Sequence, residues 1–475
     1  MSAVAEVGSP LAMVKRDAEA ESLERSIGKL EAMVEAQQGE IASLEKRIEA
    51  LDTRASESVR AGGVREIVRE LMDDAQFRES LYPDVQQVGY KKGFYIKSSD
   101  EAFLLVVTGY ARWRWAGQNR QTDNRRQTGR QKQDDLNGFE IEDLYLTFKG
   151  HIHSPDLTYL ITVEGDTDIN HAWRTYYAWV NYRFVDEFQM TGGLMKAPFG
   201  RQETNSKSRL QFIDRSMANE MFNLDRVIAG VVHGTLSERF RYALSIANGI
   251  ANKHDSPSQD ELDTNFAYMA RLVAHVFGKR IKAENDLAHS KDPQLELGMS
   301  FLYNDDNGDD RARAAYSVPD QIRRGRGIGG NARADLTGTD LFQFGADAAF
   351  RYRGLSATAE YWMRAIDGDS EFSAWEQQTG RSDASHQQGG YLQAGYFIIP
   401  KKVEVAARLG GVWDNDGDNA WEYVAGVNYY PWGSYNVVLQ ADFTRMAEAP
   451  STSSSANWGQ NDEINMVRVQ LQLKF

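Results

Sequence analysis

The stretch from Lys196 to Arg226 sets Lys196, Arg201, Lys207, Arg209, Arg215 and Arg226 among Glu203, Asp214, Glu220 and Asp225. Cations mixed with acids at short, irregular spacings suit weak multi-site contact with a charged solute, and no covalent step is needed for that. The remaining chemistry-bearing residues do not assemble into a reactive set. His151 and His153 form a His-x-His pair in a turn with no third ligand nearby, and His171, His254 and His386 fall in separate loops. There is no GxSxG and no phosphate-cradling loop, so no catalytic residue is assigned. The acidic run NDDNGDDR at 304–311 lacks the bidentate glutamate that ends an EF-hand loop, and it reads as a solvated loop. No metal or cofactor is expected.

What must position the charged stretch is a set of strands. From about Gly93 to the last residue the sequence alternates with period two, as in EDLYLTFKG, GMSFLY and the closing VRVQLQLKF. About sixteen such segments, each of about 8 to 13 residues, have the length of strands tilted across a bilayer. Their connections alternate between short turns, such as HIHSPD, FVDE, SER, YRG, IPKK and YPWG, and long polar loops. In an antiparallel meander that places all the trimmed turns at one end and all the elaborated loops at the other. One short-end member, 278–293, is longer and leaves room for a hidden hairpin.

One face of these strands is apolar, with Trp113, Trp115, Tyr182, Phe184, Trp413, Trp421, Tyr423 and Tyr429 near the strand ends and Trp432 in a turn, as a membrane interface requires. The other face reads as polar without interruption. It presents Arg112, Arg114, Lys149, Arg408, Arg468 and Lys474 among acids that include Asp143, Glu296, Asp347 and Glu360. A packed core would not tolerate that face, so it must meet water. Its slight basic excess points to anion preference. The segment 197–227 is too long and too rich in aromatic and methionine residues for a plain connection, and folding it into the lumen would bury it. The pore-lining and constriction residues are therefore Arg112, Arg114, Lys196, Arg201, Lys207, Arg209, Asp214, Arg215, Glu220 and Arg226.

Ahead of the strands the period differs. Leu23, Ile27, Leu30, Val34, Ile41, Leu44, Ile48 and Leu51 recur at spacings of four and three, with Gln37 as a polar seam position, predicting a coiled coil over 18–61. A flexible stretch, 1–17, precedes it. A helical neck and linker, 62–92, follows the Gly62–Gly63 break.

The 475-residue chain carries a formal charge of -14 and no cysteine, which argues against a nucleic-acid binder and against a disulfide or zinc scaffold. No run approaches the roughly 20 apolar residues of a membrane helix. The first residues lack the apolar core of an export signal.

GFYIKSSDEAFLLVVTGYARW, GGLMKAPFGRQETNSKSRLQFIDRSMANEMF and MVRVQLQLKF, in that order, resemble the phosphate-selective porin family of outer-membrane proteins over about 93–475. The resemblance implies an all-β transmembrane barrel of about sixteen antiparallel strands, commonly a homotrimer, with the loop around 198–223 folded inward. It also implies an outer-membrane channel for small polar or anionic solutes. The basic residues are diluted by acids relative to the family, so phosphate is one candidate solute among several. The final strand resembles the signal by which assembly machinery recognises unfolded barrels. The partners implied are outer-membrane lipid and, through a periplasmic coiled coil, the cell wall. The alternative to a channel is an anchor whose coiled coil tethers the membrane to that wall.

Overall fold

The computed structural model describes residues 39, 42–47, 87–121, 135–165, 173–248, 266–305, 339–368, 384–414, 419–447 and 463–475. Two compact units divide the chain, Met1–Val85 and Gln86–Phe475. In the first, residues 42–47 are helical, with Leu44 half-buried and its neighbours exposed. The other seam positions, Leu23, Ile27, Leu30, Val34, Ile41, Ile48 and Leu51, lie outside the described residues, as do 1–17, most of the neck, His171, His254 and 306–311. The end of the expected helical linker, Gln87–Tyr90, is a strand.

In the second unit a small hairpin, β1 (Gln87–Tyr90) and β2 (Phe94–Lys97), leads into sixteen long strands. These are β3 (Phe103–Gln121), β4 (Asp135–Ile152), β5 (Ser154–Gly165), β6 (Trp173–Val185), β7 (Phe188–Lys196) and β8 (Arg226–Ser237). There follow β9 (Phe240–Ala247), β10 (Ala267–Phe277), β11 (Gln294–Asp305), β12 (Thr339–Tyr352) and β13 (Leu355–Gly368). The set ends with β14 (Ala384–Ile399), β15 (Val403–Asp414), β16 (Asn419–Tyr429), β17 (Val437–Ala447) and β18 (Glu463–Lys474). Each pairs antiparallel with its sequence neighbour, and β18 pairs with β3, which closes a sixteen-stranded barrel. No helix among the described residues is long and apolar enough to cross a membrane.

The burial pattern inverts that of a soluble protein. Along β18, Val467, Val469 and Leu471 are exposed while Arg468, Gln470 and Gln472 are buried, so the apolar face points out and the polar face in. Trp113, Tyr182, Phe184, Trp421, Tyr423, Tyr429 and Trp432 are exposed, whereas Trp115 and Trp413 are half-buried. The inward face is not polar throughout, contrary to the alternation-based expectation. Leu341, Trp362, Val412, Met446 and Ile464 form an apolar patch inside the barrel that seats the inward loop.

The chain end closes the seam. Phe475 exchanges both backbone bonds with Gly109, each 3.1 Å, and its ring lies where any side chain at 109 would stand. Just beyond, β2 pairs with 104–107 of β3, continuing the edge that β18 leaves, and Phe94 packs edge-on against Phe475 at 6.3 Å.

Candidate functional site

The segment between β7 and β8 folds into the lumen as the aromatic content requires. Gly200, at φ 71, lets the chain turn into a short helix, Arg201–Thr204. A 3-10 turn, Lys207–Arg209, and a second helix, Met217–Phe222, follow, the latter capped by the Ser216 hydroxyl accepting from the Asn219 N–H at 3.0 Å. Phe199, Phe212, Ile213, Met217 and Phe222 are at most 1 % exposed, and Phe222 stacks on Trp362 at 5.9 Å.

Charged bonds fasten this loop to the barrel wall, chiefly to the later strands and also to Arg112 and Arg114 at the long-loop end of β3. Arg201 donates to Asp347 and Glu296, both at 2.7 Å, and its backbone N–H donates to Glu360 at 2.7 Å. Arg408 donates to the carbonyls of Asp214 and Arg215 at 3.0 and 3.1 Å while paired with Glu422. Arg114 and Arg468 both pair with Asp214, and Arg112 donates to the Ile213 carbonyl at 2.8 Å.

A second segment enters from the opposite end. The long connection 278–293 hides no hairpin. It turns up into the barrel with Ile281, Ala283, Glu284, Asn285, Asp286 and Leu287 buried. Glu284 joins the two inserts, accepting from the Gln211 N–H at 2.8 Å, Gln393 at 2.9 Å and Gln202 at 3.0 Å, while its own N–H donates to the Arg209 carbonyl at 3.1 Å. Asn285 bonds Glu404 and Tyr430, and Asp286 accepts from Gly354. Both inserts thus occupy the side of the lumen bounded by the later strands.

The space left lies against β3 to β7. A cavity of 490 Å³ there is lined by Lys149, Lys196, Lys207 and Lys474 and by no carboxylate. Along β3, from the long-loop end to the short-turn end, the cations run Arg114, Arg112, Lys474 beside Tyr110, and Lys149 beside Val106, over roughly 27 Å at about 3.4 Å per residue. A bulge on β4 between Arg112 and Trp113 swings Glu142 toward the two upper arginines, at 3.7 Å from Arg112 and 3.1 Å from Arg114, and Asp143 pairs with Arg112. The two lower lysines have no acidic partner among the described residues, and Lys474 meets only the Ser208 hydroxyl at 3.2 Å.

The residues expected to line the constriction therefore separate. Lys196 and Lys207 line the cavity, Lys207 bound to Asp143 at 2.8 Å and Lys196 to the Asn205 carbonyl at 2.9 Å. Arg201 and Arg112 are taken up by buried ion pairs and Arg114 by pairs with Glu140, Glu142 and Asp214, and Arg226 stacks on Tyr176 at 3.8 Å and pairs with Asp225. Arg215 pairs with Glu203 at 3.1 Å, and Arg209 reaches the Lys282 carbonyl. Burial works to raise the Asp214 carboxyl, but Arg114, Arg468 and Arg112 outweigh it and hold it below the usual carboxylate range. Burial likewise lifts Glu220 to about 7, only partly offset by Arg215. Glu284 carried no motif. Its signal was the anomalous length of a connection on the short-turn side. Among the described residues no three His, Asp or Glu side chains gather as a metal site.

Comparison with known proteins places this geometry. An uncharacterized protein of Aquifex aeolicus (strain VF5) is 27% identical over 252 residues, 49% of this chain, and the chain spans about half the length of that relative, 52%. Among solved structures, the anion-selective porin from Comamonas acidovorans superposes with a TM-score of 0.50 at 10% identity, covering 78% of this chain and 99% of its own. Salmonella typhi OmpF does so at 0.47 and 13%, covering 82% and 100%. The family model for phosphate-selective porin O and P matches residues 115–475, which are nearly the whole barrel, and the chain belongs to that family.

Proposed function

We propose that this protein is an outer-membrane diffusion channel for small polar or anionic solutes, phosphate among them, and that solutes pass between the inward loop and the wall of β3 to β7. The lysine-lined cavity beside the loop, free of carboxylates, carries this reading. Ions are sieved by the width the two inserts leave and biased by Lys207 and Lys196 above and Lys149 and Lys474 below. Because the lower two lack acidic partners among the described residues, an entering anion meets uncompensated charge without having to break an ion pair, and weak contacts at several lysines let it leave. Binding and release suffice, so a channel rather than an enzyme is the function that suits the family and the fold.

The test is the reversal potential of the purified protein in a planar bilayer under a salt gradient. Anion selectivity is expected, with chloride current reduced by added phosphate, and Lys149→Ala with Lys474→Ala moves the reversal potential toward zero. A cation-selective wild type would refute the proposal.

The heptads of 18–61 favour a second, compatible role. In it three copies of the chain assemble, with the coiled coil in the periplasm contacting the cell wall. The β1–β2 hairpin that follows the heptads lies at the short-turn end of the barrel, where such a segment would emerge. Removing residues 1 to 80 should leave conductance intact and weaken envelope integrity. If integrity is unchanged, the tether has no support.

A further inference from the structure

The cavity has a second wall that anion conduction alone does not call for. Opposite and between the lysines stands a run of tyrosines in ring contact: Tyr110 stacks on Tyr145 at 5.8 Å, Tyr176 lies tilted against Tyr145 at 4.6 Å, and Tyr177 meets Tyr176 edge-on at 4.5 Å. Next to them Leu160, Trp179 and Met195 line the same space. Leu160 and Trp179 face each other across the β5–β6 ladder in a phase that elsewhere on these strands holds Thr158, Thr162 and Asn181. Met195 belongs to the apolar cluster around Trp362 and Ile464 that the loop helix covers, and Trp179 packs against its margin. Leu160 and Trp179 also border the open cavity, where apolar surface in contact with water costs free energy and gains by being covered.

We propose that this cavity is a binding site for organic anions with a flat aromatic body, of the aryl carboxylate or aryl phosphate class, and that it favours them over inorganic or alkyl anions of equal charge. The inference rests on the channel reading above and adds the identity of the preferred solute. The anionic group is held at Lys149 and Lys474, the cations without acidic partners among the described residues, and the ring lies along Tyr177, Trp179 and Leu160. The quadrupoles of the ring and the tyrosines favour offset or edge contacts there. The 490 Å³ volume falls in the roughly 300–1,000 Å³ range typical of small-molecule sites.

The experiment compares phenyl phosphate with methyl phosphate as blockers of chloride current through the full-length protein in a planar bilayer. The two carry the same charged group and differ in the ring. Phenyl phosphate is expected to block at about tenfold lower concentration, the size of one aromatic contact plus its buried area. Trp179→Ala should bring the ratio toward one. Leu160→Ser, a smaller change that spares the ring packing, should lower it part of the way. Lys149→Gln should weaken both blockers alike and leave the ratio standing. Equal block by the two phosphates in an anion-selective wild type overturns the aromatic preference and leaves the channel reading intact. A wild type without anion selectivity overturns both.

Discussion

The two sides of the lumen use the same residue types to opposite ends. Against β10 to β18, Arg201, Arg408 and Arg468 are at most 4 % exposed and each meets a carboxylate, so they act as bolts that hold the inward loop. Against β3 to β7, lysines stand at the edge of open space, and the two nearest the short-turn end have no acid beside them among the described residues. The difference argues that a cation in a channel acts on solutes most where its charge is least neutralised and dehydrated. Arginine, planar and bidentate, suits the first task, and lysine, a hydrated point charge, suits the second.

Breaking the bolted side should have the largest effect. Arg201→Ala leaves Asp347 with Arg271 at 2.7 Å and Glu296 with Arg241 at 3.3 Å, and frees the loop from both. The expected cost is about 3 kcal/mol, the lower end for a broken buried pair because those partners remain. It should appear as a lower melting temperature of the folded barrel together with a larger single-channel conductance. An unchanged melting temperature would show that the pairs are not holding the loop.

Glu284→Ala tests the junction of the two inserts. It orphans the Gln211 N–H and two side-chain amides, each at a cost of about 1–3 kcal/mol if water does not replace the acceptor. Water from the lumen should recover part of this, so the stability loss should fall below that of Arg201→Ala while conductance again rises. A conductance equal to wild type would mean that 278–293 does not narrow the passage.

On the open side the order of effects reverses. Lys149→Ala should change stability by under about 0.5 kcal/mol, since it removes a cation with no acidic partner, yet it should shift the reversal potential. A stability loss as large as that of Arg201→Ala would erase the distinction between the two sides.

The smallest effect is a dependence on pH. Glu220 sits in the inward loop with its carboxyl raised to about 7, so as pH falls through 7 it takes up a proton and loses its negative charge. The constriction becomes more positive, and anion selectivity should be greater at pH 6 than at pH 8. Glu220→Gln should reduce that difference, and a variant that keeps it undiminished would assign the titration to another group.

Much of this was legible in the chain. The period of two, the alternation of short and long connections and the inverted polarity of strands such as VRVQLQLKF required a closed, water-filled barrel, because strand pairing and face polarity are local consequences of residue order. The inward course of the segment 197–227 was also legible, from its length and its buried residue types. Which charges do what was not. Arg201 and Lys207 look alike in sequence, and Glu296, Asp347 and Glu360 look like ordinary lumen acids. Only closure of the barrel brings residues from β11, β12 and β13 onto Arg201, more than ninety positions away, and leaves Lys149 and Lys474 without acids. Pairing partners across a barrel are set by strand register and by where the inserts settle, and those are properties of the assembled structure that no stretch of sequence carries alone.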